Sequence, residues 1–178
     1  MALTDLENVE KEFGVTIARR RPMEGRKDDA YYLQFDEAIR KEAGQMARSY
    51  EVFYCLEKAI RSLIRGRLEE SAPKEWWLKL VPPATQDEVK KRMQRETDAG
   101  ITPRSDEPLD FTTFGELGDI IGANWSVFGD MFTSRKAVEK IMTSLNNLRG
   151  PIAHCSPLAP DEVVRLGLTV RDWFRLME

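Results

Sequence analysis

Histidine and cysteine are nearly missing from this chain of 178 residues, which has one of the first, His154, and two of the second, Cys55 and Cys155. With so few soft ligands, a Cys/His zinc site would need unusual partners, and a Ser-His-Asp hydrolase would have a single candidate base. Two isolated thiols make no disulfide framework, which points to a reducing compartment. Long apolar runs are missing as well: no window approaches the roughly 18 consecutive apolar residues of a membrane span. The opening stretch from Met1 to Glu10 is acidic and has no apolar h-region, so no secretory signal is readable and a cytoplasmic location is expected. An excess of positive charge is missing too. Lys and Arg total 27 against 30 Asp and Glu, a net charge of -3 with a pI near 5.5. That balance gives no global electrostatic case for nucleic-acid binding, so any such case rests on a local patch. Two basic groups stand out: Arg19-Arg20-Arg21 with Arg26 and Lys27, and Arg61, Arg65 and Arg67. The ordinary reading of both is a solvated face.

Helical periodicity dominates what is present. Thr4-x-x-Glu7 is a capping-box pattern that opens a short helix with Leu6, Val9 and Phe13 on one face. Gly14 ends it, Val15 to Ala18 has the character of a short extended piece, and Pro22 to Asp29 reads as a loop. Residues 1–34 form an N-terminal appendage on this reading, and 35–178 form a helical domain. From about Tyr32 to Glu70 apolar residues recur three to five apart, and a continuous helix of that length would exceed about 50 Å, so a bend or break is expected near Gly44. Pro73 is read as starting a short helix with Trp76 and Trp77, which Pro82-Pro83 stops. Thr85-x-x-Glu88 caps another to about Glu96, and 97–110 is a loop. Thr113-x-x-Glu116 opens a helix carrying Leu117, Ile120 and Ile121, Thr133 or Ser134 caps the next, and the last follows Pro160-Asp161. No hairpin signal or repeat is present. The fold class expected is all-α, a bundle of four to five main helices. The four tryptophans lie at helical spacings and are read as core rather than as stacking platforms.

Between the last two long helices lies Asn146-Asn147-Leu148-Arg149-Gly150-Pro151-Ile152-Ala153-His154. In a continuous helix five residues would put Arg149 and His154 about 140° apart. Gly150-Pro151 is expected to break the helix, with Pro151 at the first position of a new turn whose free N–H groups favour an anion. One reading is thus a phosphate seat between Arg149 and His154. The other is a plain helix junction, with Arg149 capping carbonyls and His154 packing locally. Glu57 lies on an apolar face with Phe53, Ile60 and Ile64, where an acid is costly unless paired. It can orient Arg149 or bond Arg61 at i+4, and a support role is favoured. Asn146, one turn before Arg149, can bond backbone or touch ligand.

Arg-x-x-x-x-His between the third and fourth helices of an all-α domain resembles the signature of the HEPN superfamily, the higher eukaryotes and prokaryotes nucleotide-binding domains. The resemblance runs from Phe35 to Trp173 and is nearest to the HEPN branch attached to a transcription-linked PIN-domain endoribonuclease. It is carried by Glu42-Ala43, Met46-Ala47, Tyr50-Glu51, Glu57, Arg61, Ile64, Trp76-Trp77, Phe114-Gly115-Glu116-Leu117, Ile120-Ile121 and Asn124-Trp125. Leu145-Asn146, Arg149, Ile152-Ala153-His154 and Asp172-Trp173 continue it. Many members are metal-independent ribonucleases that act as dimers, so the resemblance implies RNA as substrate or ligand, a homodimer and no metal or cofactor. It places Arg149 and His154 as the catalytic pair, with Glu57, Asn146 and Gly150 in support. Catalytic members usually carry Asn, Asp or His directly after the motif arginine, where this chain has Gly150. Three readings follow: a dimeric endoribonuclease acting as a toxin or antiviral effector with an antitoxin or other protein partner; a module that binds RNA or nucleotide without cutting it; and a dimerisation or interaction domain with a vestigial motif. The first is the leading expectation.

Overall fold

Apolar residues three and four apart, interrupted by proline and by capping side chains, set where each helix begins and which face it buries. A computed structural model of the chain describes residues 30–178. The capping box at Thr4, the extended piece at Val15, the loop from Pro22 and the basic run from Arg19 to Lys27 lie outside the described residues. Residues Glu42–Glu178 form one compact unit. A 3₁₀ turn spans Ala30–Gln34, followed by helix α1 over Glu37–Ser71, α2 over Trp76–Leu80 and α3 over Pro83–Asp98. A second 3₁₀ turn, Pro108–Phe111, precedes α4 over Phe114–Ala123, α5 over Trp125–Phe128, α6 over Arg135–Ala153 and α7 over Pro160–Arg175. Among the described residues the architecture is all-α, with no strand. No helix of these residues is long and apolar enough to cross a membrane.

The core is assembled on α6. It packs against α4 on one side and α7 on the other, and buries Val138, Met142, Leu145 and Leu148 between them. Helix α1 adds Phe53, Leu56, Ile60, Ile64 and Leu68 from its C-terminal half, with the Phe53 and Phe114 rings 5.1 Å apart. Trp173 and Phe132, with ring centroids 5.3 Å apart, close the other end. Trp76 and Trp173 are buried, and Trp77 and Trp125 pack against the same cluster. The apolar stripe of α1 is longer than its buried part: Tyr50 is 59% and Tyr54 52% exposed, on either side of the buried Phe53.

Helix α1 is continuous for 35 residues, with no break at Gly44. Gly44 has open space around it, and one exposed glycine costs a helix only about 1 kcal/mol, too little to break it. Helix α3 begins at Pro83 rather than at the Thr85 cap, because a proline with its fixed φ suits the first helical turn. Helix α2 begins at Trp76, three residues after Pro73. The expected break at Gly150-Pro151 is also absent. Helix α6 runs through both residues to Ala153 and ends on His154. Pro151 sits in the last turn, where the hydrogen bond it forfeits belongs to a segment about to end. The His154 amide donates to the Gly150 carbonyl at 3.1 Å, and the Ser156 amide returns to the Pro151 carbonyl at 2.9 Å around Cys155 at φ +54°. That is a six-to-one closing bond with a left-handed residue after the C-cap.

The Thr113 cap locks the start of α4. Its hydroxyl accepts from the Glu116 amide, and the Glu116 carboxylate accepts from the Thr113 amide. Glu116 also pairs with Arg92 of α3 at 2.8 and 2.9 Å. Burial pushes the Glu116 carboxyl up, but Arg92 and the Thr113 amide together outweigh it and hold the group below its ordinary value. A carboxyl depressed in the folded state adds stability above its unfolded pKa, and that stability is lost as pH falls through the folded value. Glu116→Gln is therefore expected to flatten the fall of unfolding free energy below about pH 5, as measured by urea denaturation across pH. Gly150 is helical with open space beyond its chain neighbours, but the Cδ of Pro151 crowds the Cβ of any helical residue before it, so Gly150→Ala is expected to fall short of the about 1 kcal/mol that an ordinary helical Gly→Ala change gains. A full gain in the same assay would mean the chain is not helical there.

Candidate functional site

Glu57 projects from α1 beside the core residues Phe53, Leu56 and Ile60, and its side chain is 19% exposed. A carboxylate so placed needs partners, and two arginines supply them. Arg61, one turn on, donates from Nη2 to Glu57 Oε1. Arg149, from the last turns of α6, brings its Nε to 3.4 Å from Glu57 Oε2. The two guanidiniums differ in everything else. Arg61 is buried; its Nη1 donates to the Leu109 carbonyl and to Thr112 Oγ1 at 2.6 Å, and its Nη2 donates to the Thr112 carbonyl at 2.9 Å. Its terminal nitrogens are used up in fixing the second 3₁₀ turn against α1. Arg149 is 38% exposed, and its two terminal nitrogens have no partner among the described residues.

The free side of Arg149 faces a cleft of about 350 Å³. Tyr50, Tyr54 and Lys58 line it from α1, and Arg104 and Asp110 from the segment before α4. Lys58 is 3.6 Å from Asp110, and the Arg104 guanidinium lies over the Phe111 ring, 5.0 Å from its centroid. One carboxylate serving two guanidiniums leaves a unit of positive charge uncompensated at Arg149. In a half-buried site that charge acts at an effective dielectric far below that of water. A planar fork of free N–H donors beside it is the geometry that takes a phosphate oxygen pair.

His154 is brought to a different place. Because α6 is continuous, the rotation between Arg149 and His154 is the about 140° of a regular helix, and His154 is an exposed C-cap that does not line the cleft. The expected anion seat on a new helical turn at Pro151 does not form, since no turn starts there. Ile152 and Ala153, which share the Arg149 side of the helix, line the cleft instead. Asn146 also lies elsewhere. It lines a groove between α4 and α6 of about 240 Å³, with its amide 3.7 Å from where a Cβ of Gly115 would stand. Gly150 is half-buried within α6 and touches neither space.

The basic group at Arg61, Arg65 and Arg67 is not an open patch. Arg61 is buried as described, Arg65 pairs with Glu69 and Glu107, and Arg67 pairs with Asp130 at 2.6 Å and donates to the Val127 carbonyl at 2.7 Å. The cations that line the cleft, Lys58, Arg104 and Arg149, are distant in sequence, so no run announced them, and two of them are paired, Lys58 with Asp110 and Arg104 with Glu96 at 2.6 Å. Among the described residues no group of three His, Cys, Asp or Glu is placed to hold a metal ion.

No curated protein and no solved structure matches this chain. A family model does: residues 51–178, well over half of the chain, match Swt1-like HEPN. The match spans α1 from Glu51 to the end of α7 and includes Glu57, Arg61, Arg149 and His154. The all-α architecture and the family match agree, and the chain belongs to the HEPN superfamily as a Swt1-like HEPN domain.

Proposed function

We propose that the protein is a metal-independent endoribonuclease that acts as a homodimer through Arg149 and His154. The observation that carries this reading is the free guanidinium edge of Arg149, held by a carboxylate that it shares with Arg61 and turned to an open cleft. Cleaving RNA with its own 2′-hydroxyl requires a base for that hydroxyl, an acid for the departing 5′-oxygen and a cation for the charge on phosphorus. The 2′-oxygen bonds to phosphorus as its proton passes to the base. The bond to the 5′-oxygen breaks as the acid protonates it, giving a 2′,3′-cyclic phosphate and a 5′-hydroxyl. Histidine can fill either proton role near neutral pH, and Arg149 supplies the cation.

One chain has one histidine, and α6 directs it away from the Arg149 cleft. Two chains meeting at the ends of their α6 helices would supply a base, an acid and two arginines, so dimerisation belongs to the mechanism. The free guanidinium edge of Arg149, rather than the chain's net charge of -3, then governs RNA affinity. An active nuclease of this kind damages its own cell, which fits a toxin or antiviral effector held in check by a protein partner. Gly150, where a polar side chain is usual in catalytic relatives, supports a second reading in which the domain binds RNA without cutting it.

The test is RNA cleavage by the purified protein in EDTA, beside Arg149→Ala and His154→Ala. The nuclease reading predicts cleavage that survives EDTA, yields cyclic-phosphate ends and falls by at least about a hundredfold in each variant. It also predicts growth inhibition on expression that His154→Ala relieves. Salt-sensitive RNA binding without cleavage, weakened by Arg149→Ala alone, would support the binding module instead.

A further inference from the structure

Two tyrosines at the mouth of the Arg149 cleft have no structural employment. Tyr50 and Tyr54 stand one turn apart on α1, 59% and 52% exposed, with ring centroids 6.0 Å apart and planes tilted by 36°. Between them in sequence, Phe53 is buried against Phe114, so the backbone position of both tyrosines is fixed by the core. Neither hydroxyl has a hydrogen-bond partner among the described residues. Each therefore presents an exposed ring face from a rigid helix, beside a cleft where Lys58 is paired with Asp110 and Arg104 with Glu96, and Arg149 keeps free donors.

We infer that Tyr50 and Tyr54 form a stacking platform for an unpaired nucleobase whose phosphate lies on Arg149. The inference rests on the proposed reading of Arg149 as a phosphate contact. A ring face beside a cation is what single-strand binders use, because every base has a π-face and each phosphate follows its base by a fixed covalent link. A duplex hides its base faces in the stack and cannot use the platform. A cleft of about 350 Å³ is at the lower end of ligand pockets, at roughly 300–1,000 Å³, and admits one nucleotide rather than a helix. With no directional partner for the base edge from the tyrosines, the platform selects strandedness over sequence. The tyrosines are positioning residues: they place the base, and Arg149 meets the phosphate.

The experiment uses the full chain and a single-stranded 2′-O-methyl oligoribonucleotide carrying 2-aminopurine, which lacks the attacking hydroxyl and reports stacking by loss of fluorescence. The expected result is quenching on binding, with affinity reduced about fivefold or more in Tyr50→Ala or Tyr54→Ala and retained in the Phe variants, since stacking needs the ring alone. The duplex form of the same oligonucleotide is expected to bind weakly and equally to all of these proteins. Alanine variants that bind and quench like the parent would overturn the inference, as would Phe variants as weak as the Ala ones. A change of sedimentation mass in the alanine variants would also overturn it, by assigning the rings to a protein interface. Arg149→Ala separates the two levels. If it weakens binding and the tyrosine variants do not, the platform alone falls; if the parent binds no RNA, or Arg149→Ala binds as well as the parent, the reading beneath it falls too.

Discussion

Glu57 carries one negative charge and faces two guanidiniums, and the arrangement of the cleft depends on how that charge is divided. Arg61 reaches it first. It lies on the same helix at i+4, its terminal nitrogens also donate to the Leu109 carbonyl and to Thr112, and it is buried. Removing such an ion from water is costly, so its partners must all be present in the folded state. Arg149 receives the remaining carboxylate oxygen at 3.4 Å and no second anion among the described residues. Its side chain is held in direction without being neutralised, which is the condition for binding an anion from outside. The global charge of -3 does not cancel this, because exposed charges beyond about 8–10 Å are screened at ordinary salt while a close half-buried charge is not.

The parts of the fold that appear remote from Arg149 keep Arg61 in place. The Pro108–Phe111 turn presents the Leu109 carbonyl, and Thr112, which follows it, adds a hydroxyl and a second carbonyl. The turn is secured in its own right: Arg92 donates to the Phe111 carbonyl and pairs with Glu116, and Glu116 closes the capping box on Thr113. A cap at the start of α4, an ion pair from α3 and a buried arginine on α1 therefore form one connected frame, with Arg149 at its open end. Each member is a short-range interaction worth little alone. Together they fix the direction of one side chain, and the direction is what the cleft uses.

Much of the helical pattern could be read from the sequence. The Thr113-x-x-Glu116 box, the Ser134 cap and the α7 start at Pro160 are local signals with local causes, and the apolar spacing of Leu117, Ile120, Leu145 and Leu148 sets inward faces without reference to anything distant. The two expected breaks failed for one reason. Glycine at Gly44 and Gly-Pro at 150–151 weaken a helix by a bounded amount, and packing or proximity to a helix end decides whether that amount matters. Glu57 was legible as an acid on an apolar face that needed a partner. That it has both candidate partners at once was not, since Arg149 is brought to it by the crossing of α1 and α6. Arg61 read as one of a basic cluster because sequence proximity does not show burial, and Thr112 gave no signal at all. Tyr50 looked like core by spacing; it is exposed because the buried stripe of α1 runs through Ser49, Phe53 and Leu56 and leaves it to one side.

The Glu57 charge is shared unequally, with Arg61 closed and Arg149 open. Side-chain ¹H–¹⁵N NMR of the arginine Nε–H groups, during titration with a 2′-O-methyl dinucleotide, measures that directly. The Arg61 signal is expected to exchange slowly with water before titration and not to move, and the Arg149 signal to shift with saturation as the phosphate binds. Movement of both signals together, or an Arg149 signal that stays where it began, would contradict it.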